Sequence, residues 1–460
     1  MLTTDYLIIG SGAFGMGFAD QLLTETAADM IIVDRHHAPG GHWNDAYPFV
    51  RLHQPAAFYG VGSRPLGSDR VDEVGFNKGY CELPTGAEVC SHYASLMQER
   101  FLPSGRVRYF PMCDYLGDGR FRSLHSDEVH EVTVRRKLVD ATWIKTEVPS
   151  THRPSFQIAD GVQFVTPNML PQAAPGHADF VIFGSGKTAM DVGVWLLQMG
   201  ARPDRVRWFK SREAWLVNRD TTQPGAAFFA RTAGGQALQL EAAAEATSID
   251  DLFDRLERSG QLLRIDPAVR PTMFRGATIS AAEVGMLRTI ANVERKGHVK
   301  RLERGAIVLD RGTVDCASDA LHIDCTASAF GRPPIVPVFS GNRITIQMVR
   351  GGQMCLSASL IGHLEAAYAD DAEKNELCQP IPMPNAATDW ALFRLADLRS
   401  GRRWASDKAL RRWMAEHRLG GATSGVQGAE AERIGERLRV ARPKAEENLA
   451  RLLEGPATQS

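Results

Sequence analysis

The 460-residue chain has no Cys-x-x-Cys pair and no run of about 18 apolar residues. It also has almost no charge imbalance, since 53 Lys and Arg stand against 54 Asp and Glu. Without the apolar run, no transmembrane helix is expected. Without a basic excess, nothing supports bulk electrostatic binding to nucleic acid or to an anionic membrane. The seven cysteines, at 81, 90, 113, 316, 325, 355 and 378, pair neither with one another nor with histidine at metal-ligand spacing. No metal site and no redox dithiol are therefore expected. The opening Met1-Leu2-Thr3-Thr4-Asp5 carries no basic segment or long apolar stretch, which with the scattered thiols reads as a soluble, cytoplasmic protein. The length allows two or three domains around a substantial core.

What the chain does have is two glycine-rich turns, each set between an apolar run and a helical pattern. In the first, Leu7-Ile8-Ile9 reads as a buried parallel strand and leads into Gly10-Ser11-Gly12-Ala13-Phe14-Gly15. Gly10 permits the tight turn, Gly12 lets a pyrophosphate approach the backbone, and Gly15 allows the helix to pack closely on the strand. Phe18, Leu22 and Leu23 give that helix an apolar face. A second apolar run, Met30 to Val33, ends in Asp34-Arg35, nineteen residues beyond Gly15. That is where the dinucleotide fingerprint places a carboxylate for the ribose hydroxyls. This N-terminal unit is assigned to FAD.

The second turn follows Phe180-Val181-Ile182-Phe183 and reads Gly184-Ser185-Gly186-Lys187-Thr188-Ala189. A P-loop needs a glycine where Val181 stands, so that reading fails, whereas the dinucleotide fingerprint accepts alanine in its last slot. The next strand, Val206 to Phe209, ends in Lys210-Ser211-Arg212 with no carboxylate at its tip. Basic and hydroxyl groups there suit a 2′-phosphate, so NADPH is the expected donor. The alternatives are that Lys210 and Arg212 are only solvated strand-end charges, or that the nearby Glu213 confuses the assignment.

Four further segments carry a family resemblance: Gly40-Gly41-His42-Trp43, Tyr47-Pro48-Phe49-Val50-Arg51-Leu52-His53-Gln54-Pro55, Lys210-Ser211-Arg212-Glu213-Ala214-Trp215, and Leu321-His322-Ile323-Asp324-Cys325-Thr326-Ala327. With the two turns, they make the chain resemble the flavin-containing monooxygenases over roughly 5–60, 155–220 and 300–360. The resemblance implies that Gly41, His42 and Trp43 lie near the flavin. It also implies that Thr326 and Ala327 stand in the Ala-Thr-Gly element, on a strand returning to the FAD domain. Two departures stand out. The stretch from Phe156 to Pro167 has no histidine where the family's linker signature has one, and Cys325-Thr326-Ala327-Ser328 lacks the glycine of Ala-Thr-Gly.

The fold expected is α/β, with two Rossmann-like dinucleotide-binding domains. The FAD domain (1–160 and 313–385) is interrupted by an NAD(P)H domain (161–312), which carries a helical insertion at about 220–295. A charge-rich helical region (386–460) follows. Ser248…Asp251 and Ser280…Glu283 read as capping boxes. Residues 114–144 read as an antiparallel meander, and Asp310-Arg311-Gly312 as a hairpin turn. Trp404, Leu410 and Trp413 form one stripe, 420–425 a flexible link, and 428–454 a helix packing by Ile434, Leu438, Leu449 and Leu452. No internal repeat is apparent.

The function the resemblance implies is an NADPH-dependent flavin monooxygenase. Reduced flavin would add oxygen as a C4a-(hydro)peroxide and oxygenate a small organic substrate, with Arg51, His53 and Gln54 as catalytic residues beside Trp43. The missing linker histidine favours the alternative of a flavin reductase without oxygen insertion. A flavin-binding protein without activity is the third reading.

Overall fold

The computed structural model describes residues 2–420 and 425–454; residues 421–424 of the expected link lie outside them. Strand β1 (Leu2–Ile9), helix α1 (Ala13–Glu25) and strand β2 (Met30–Val33) open the chain. Helix α2 (Gly86–Leu96) leads to β3 (Val107–Phe110), and β4 (Cys113–Gly117), β5 (Arg120–Ser123) and β6 (Val129–Asp140) form the expected antiparallel meander. From Val132 to Asp140, β6 runs in parallel alongside β1, giving the order β6-β1-β2-β3. Leu7 and Ile8 are fully buried between the two faces, as a central parallel strand requires.

Short strands β7 (Gln157–Ile158) and β8 (Phe164–Val165) and the single turn α3 (Leu170–Ala173) lead into the second nucleotide fold. That fold comprises β9 (Phe180–Phe183), α4 (Lys187–Gln198) and β10 (Val206–Phe209). The insertion follows: β11 (Ala214–Asn218), α5 (Phe229–Glu245), α6 (Ile249–Arg258), β12 (Leu262–Leu263), β13 (Met273–Ile279) and α7 (Ala281–Leu287). Thus the insertion carries a three-stranded sheet, β12-β11-β13, as well as helices. The Ser280 box is reciprocal. At α6, Ser248 accepts from the Asp251 amide, but the Asp251 carboxylate bonds the Thr247 amide instead, so that box is only half formed.

Next come β14 (Asn292–Glu294), the antiparallel β15 (Val299–Glu303), β16 (Ala306–Leu309) and β17 (Gly312–Asp315), and then β18 (Leu321–Asp324). The β16–β17 pair is the expected hairpin. The resemblance implies that the 321–327 strand returns to the FAD domain, and it does not. β18 does not return to the first sheet but pairs in parallel with β9, completing an all-parallel sheet of order β14-β10-β9-β18-β8. The chain re-enters the first sheet only after β19 (Phe339–Ser340), at β20 (Arg343–Thr345), which pairs with β6. The reason is burial: β18 lies between β9 and β8, where Leu321, His322, Ile323 and Asp324 are all buried.

Helix α8 (Met354–Ala367) then packs along α1. Gly17 and Gly362 permit the approach, because a Cβ on them would come within 3.2 Å of Ala358 and 2.9 Å of Gln21. Helices α9 (Asp371–Leu377), α10 (Asp389–Ser406), α11 (Lys408–Glu416) and α12 (Ala429–Glu454) complete the chain. The insertion and this tail share one core. Trp215, Leu240, Leu252, Phe253 and Phe274 pack with Trp390, Leu395, Leu398 and Leu449. Arg437 grips Glu241 with two bonds of 2.7 Å, and Asn448 donates to the carbonyls of Ala243 and Ala246, tying α12 to α5. No helix among the described residues is long and apolar enough to cross a membrane.

Candidate functional site: two nucleotide crevices

In each parallel sheet the strand order reverses beside the first strand, and the crevice outside the strand ends at such a reversal is where nucleotides bind in open α/β folds. The first reversal lies between β1 and β6. Gly10 has φ +98° there, and a Cβ would stand 2.9 Å from Thr142. Gly15 is tighter still, since its Cβ would lie 1.8 Å from the Gly10 carbonyl oxygen. Gly12 is the N-cap of α1 and makes no side-chain cap, whereas α2 and α7 are capped by Thr85 and Ser280. The first amides of α1 are thus left for an anion. Over this turn lies Gly40-Gly41: the Gly40 amide donates to the Ser11 carbonyl at 2.9 Å, and a Cβ on Gly41 would stand 2.9 Å from the Gly12 Cα. This is a cradle that only bare backbone fits, and it suits the pyrophosphate of FAD. Ala13 and Phe14 face inward, packed with the main core.

Asp34 is buried at the tip of β2. It accepts from the Ser11 hydroxyl at 2.8 Å, the His36 amide at 2.8 Å and His36 Nδ1 at 2.9 Å, while His36 Nε2 meets Asp45 at 2.7 Å. Burial raises the Asp34 carboxyl, but His36 and the Ser11 amide outweigh it and hold it below the usual carboxylate range. His36, bonded first to Asp34 and then to Asp45, is pushed up to about 9. A cationic imidazole thus holds the Asp34 carboxylate in place. His36 and Asp45 were not anticipated, although a histidine two residues past the acid was there to read. Arg35 is exposed and pairs with Asp114 at 3.2 Å, so it does not join Asp34. Trp43 donates its Nε1 to the Tyr59 hydroxyl at 2.7 Å, and His42 lies against its ring with centroids 5.3 Å apart.

The second reversal lies between β9 and β18. Gly184 has φ +132°, and a Cβ would come 2.3 Å from the Cys325 carbonyl oxygen. Gly186 is an N-cap without a side-chain cap, with open space where its Cβ would be. Ala189 is buried in the helix–sheet contact. At the strand tip the expected roles are redistributed. Lys210 is withdrawn: it is buried, lies 3.7 Å from the centroid of the Trp208 ring, and pairs with Glu213 at 3.2 Å. Glu213 is also held by Arg295 at 2.7 Å, so it is not a free carboxylate facing a ligand. Ser211 is exposed. Arg212 stays at the crevice, its amide 3.4 Å from the Ser185 hydroxyl and its guanidinium on Asn385 Oδ1. Arg275 of β13 reaches the same oxygen at 3.1 and 3.2 Å. Burial lowers the Arg275 pKa, and the charges of Arg212 and Arg332 lower it further. Two guanidiniums thus converge on one neutral amide oxygen with the charge of Arg332 close by, and no carboxylate pairs with any of the three among the described residues.

Both crevices are closed by the same local device. Asp140 Oδ1 accepts from the Thr142 amide and hydroxyl at 2.9 and 2.8 Å, and Asp324 Oδ1 accepts from those of Thr326 at 2.9 and 2.6 Å. Val139-Asp140-Ala141-Thr142 and Ile323-Asp324-Cys325-Thr326 are therefore a short apolar-Asp-x-Thr repeat, its role not apparent from the letters alone. Asp140 has its second oxygen on Arg343, while Asp324 Oδ2 is buried without a partner. The Thr326 hydroxyl is 3.2 Å from His152 Nε2, and His152 Nδ1 is 2.9 Å from Glu147. A histidine is thus present in the linker, just before the segment where its absence was noted. Ala327 is half-buried beside it.

Between the crevices lies a buried ionic network. Lys187 pairs with Asp191 and, at 3.4 Å, with Glu283; Glu283 binds Arg219 at 2.6 Å; and the Tyr47 hydroxyl donates to Asp191 at 2.7 Å. Phe49 stacks on Trp195 at 5.0 Å, so Tyr47 and Phe49 dock the first domain onto α4. Thr188 lies beside Tyr47. His53 touches this network through its carbonyl, which accepts from Arg219 Nε at 3.4 Å. Burial, then the charges of Lys187 and Arg219, lower its imidazole to about 3. His53 is therefore neutral near pH 7. Gln54 donates to the Gly352 carbonyl at 3.0 Å, just before the uncapped start of α8. Arg51, by contrast, is exposed and donates to the Leu83 carbonyl near the start of α2.

No family model matches the chain. It is 49% identical over 419 residues to an uncharacterized protein of Mycobacterium tuberculosis (strain H37Rv), covering 91% of this chain and 78% of that one. An uncharacterized protein of Mycobacterium bovis matches at the same identity and coverage. Among solved structures, an oxidized steroid monooxygenase bound to NADP superposes with a TM-score of 0.50 at 13% identity, over 98% of both chains. The chain therefore belongs to the family of these mycobacterial proteins and has the two-dinucleotide-domain fold of the flavin monooxygenases.

Proposed function

We propose that the protein is an FAD-dependent, NADPH-using oxidoreductase that oxygenates a small organic substrate. The observation that carries this reading is the paired architecture: two strand-order reversals, each with a glycine turn and an uncapped helix start, joined by matching Asp-x-Thr exits. FAD, when bound, supplies the redox chemistry, accepting hydride from the nicotinamide and passing electrons to oxygen. The Gly12–Gly41 cradle and the α1 amides hold its pyrophosphate, and Asp34, fixed by His36, holds the ribose. Arg212 and Arg275, with Arg332 beside them, receive the 2′-phosphate of NADPH. His53, being neutral, orients or accepts a hydrogen bond rather than acting as a standing acid.

The coenzyme assignment predicts a specific split. Charge-assisted bonds contribute about 1.5–3 kcal/mol each. Arg212→Ala with Arg275→Ala should therefore raise KM for NADPH by roughly tenfold or more while leaving KM for NADH nearly unchanged. Lys210→Ala should instead lower stability without that selectivity. Equal effects of the arginine pair on both coenzymes would remove the phosphate assignment.

Reductase chemistry without oxygen insertion is the second reading, favoured by the departure from the linker signature between Phe156 and Pro167. The fate of oxygen decides between them. Hydrogen peroxide formed per NADPH consumed is measured with a panel of amines, thioethers and ketones. Monooxygenation requires that one substrate lower the peroxide yield and appear as oxygenated product. A yield of one peroxide per NADPH with every substrate would leave the reductase.

A further inference from the structure

We propose that Arg418, in the C-terminal tail outside both nucleotide folds, is a positioning residue that sets the aromatic wall beside the first crevice. Its guanidinium is mostly buried and makes four hydrogen bonds to backbone carbonyls of one short loop. Nε donates to Val61 at 3.1 Å, one terminal nitrogen to Ala57 at 3.0 Å, and the other to Tyr59 and Val61 at 2.7 Å each. No carboxylate stands within ion-pair distance among the described residues, and burial lowers its pKa. A buried, unpaired guanidinium is expensive to keep, so its bonds to the loop must offset its desolvation. Its planar fork matches three carbonyls at fixed spacing, which a lysine cannot do.

The clamped loop leads directly to the crevice. Tyr59 is the middle residue of the clamped stretch, and its hydroxyl accepts from Trp43 Nε1 at 2.7 Å with the rings edge-on at 6.0 Å. Trp43 follows Gly41 in the cradle over Gly12. Flanking residues press the tail into place. Leu419 is buried against Cys355 and Leu356 at the start of α8. A Cβ on Gly62 would come within 2.5 Å of His417, which packs on Trp413 with centroids 4.5 Å apart. The tail thereby joins the uncapped start of α8, the 57–61 loop and the Trp43 wall. The consequence for flavin rests on the proposed assignment of the first crevice to FAD; the effect on Trp43 does not.

The test uses the full chain carrying Arg418→Met, Arg418→Lys and Tyr59→Phe, with two readouts. The first is Trp43 emission in the cofactor-free protein, isolated by subtracting the same variant with Trp43→Phe. The second is FAD affinity by titration. Arg418→Met and Arg418→Lys should both shift Trp43 emission to the red. Both should also raise the FAD dissociation constant about tenfold, or ~1.4 kcal/mol. Tyr59→Phe, which leaves the clamp intact, should reproduce the emission change and part of the affinity loss. Should Arg418→Met not fold, Arg418→Lys and Tyr59→Phe carry the test. Unchanged Trp43 emission in Arg418→Lys, or FAD affinity unchanged in both Arg418 variants, overturns the proposal. If wild type binds no FAD, the functional reading fails while the emission arm still decides whether Arg418 positions Trp43.

Discussion

Gly15→Ala is expected to purify without flavin. The added methyl group would sit 1.8 Å from the carbonyl oxygen of Gly10 and 2.9 Å from its carbon. Both are backbone atoms of the turn itself, with no flexible side chain to yield. Relief requires moving α1 away from β1, which displaces the uncapped amides and opens the Gly12–Gly41 cradle. Overpacking of this kind costs typically about 1–3 kcal/mol where side chains can shift, and more where only backbone can. The control is Gly285→Ala, at a helical position where a Cβ meets nothing within 4 Å. It should leave flavin content and melting temperature unchanged or slightly improved. Flavin absorbance relative to protein absorbance reads the first effect, and calorimetry the second. Full flavin content in Gly15→Ala would mean that the close packing seen at this turn is not what holds the pyrophosphate site.

The second large effect is expected at Glu283. This residue is buried, caps α7 through the Ser280 amide at 2.8 Å, binds Arg219 at 2.6 Å and faces Lys187 at 3.4 Å. Glu283→Ala leaves Arg219, itself 1% exposed, without its carboxylate. Breaking one side of a buried pair costs about 3–5 kcal/mol, largely as the penalty of the stranded charge. A pH arm separates this from simple cavity formation. Burial raises the Glu283 carboxyl, but Lys187 and Arg219 outweigh it and hold it at about 2, against an ordinary 4.5. Its folded pKa is thus depressed, so its contribution is fully present above pH 4.5 and lost as pH falls toward 2. Asp191 works in the opposite sense, because burial raises it. His53, held at about 3 against 6.5, adds a loss beginning at higher pH, as pH falls below 6.5. Denaturant unfolding at several pH values should show wild type losing stability more steeply than Glu283→Ala between pH 4.5 and 2. Parallel curves would show that Glu283 is not ionised in the network.

Where sequence and structure agree, the signal was local. Leu7-Ile8-Ile9 before Gly10, and Phe180 to Phe183 before Gly184, each pair a strand with its turn over a few residues. The meander at 113–140 and the β16–β17 hairpin are equally short-range. What was not legible depends on contacts far apart in the chain. Trp215 and Phe253 share a core with Trp390 and Leu449, and no periodicity within either segment announces the other. Lys210 reads like a ligand-facing cation because its strand ends there, yet Trp208 and Glu213 enclose it. Arg275 could not be recognised from its own surroundings, since only β13 folding beside β11 brings it to Arg212. The Asp-x-Thr repeat was visible in the letters but has meaning only once β6 and β18 occupy equivalent places beside β1 and β9.

On the proposed function, two adenine dinucleotides bind this chain and hydride passes from one to the other. Anaerobic mixing of FAD-reconstituted protein with NADPH tests it most directly. Stoichiometric FAD binding is expected, followed by saturable bleaching of the flavin absorbance that NADH supports only at higher concentration. A chain that takes up no FAD, or one whose bound flavin NADPH leaves oxidised, would contradict it.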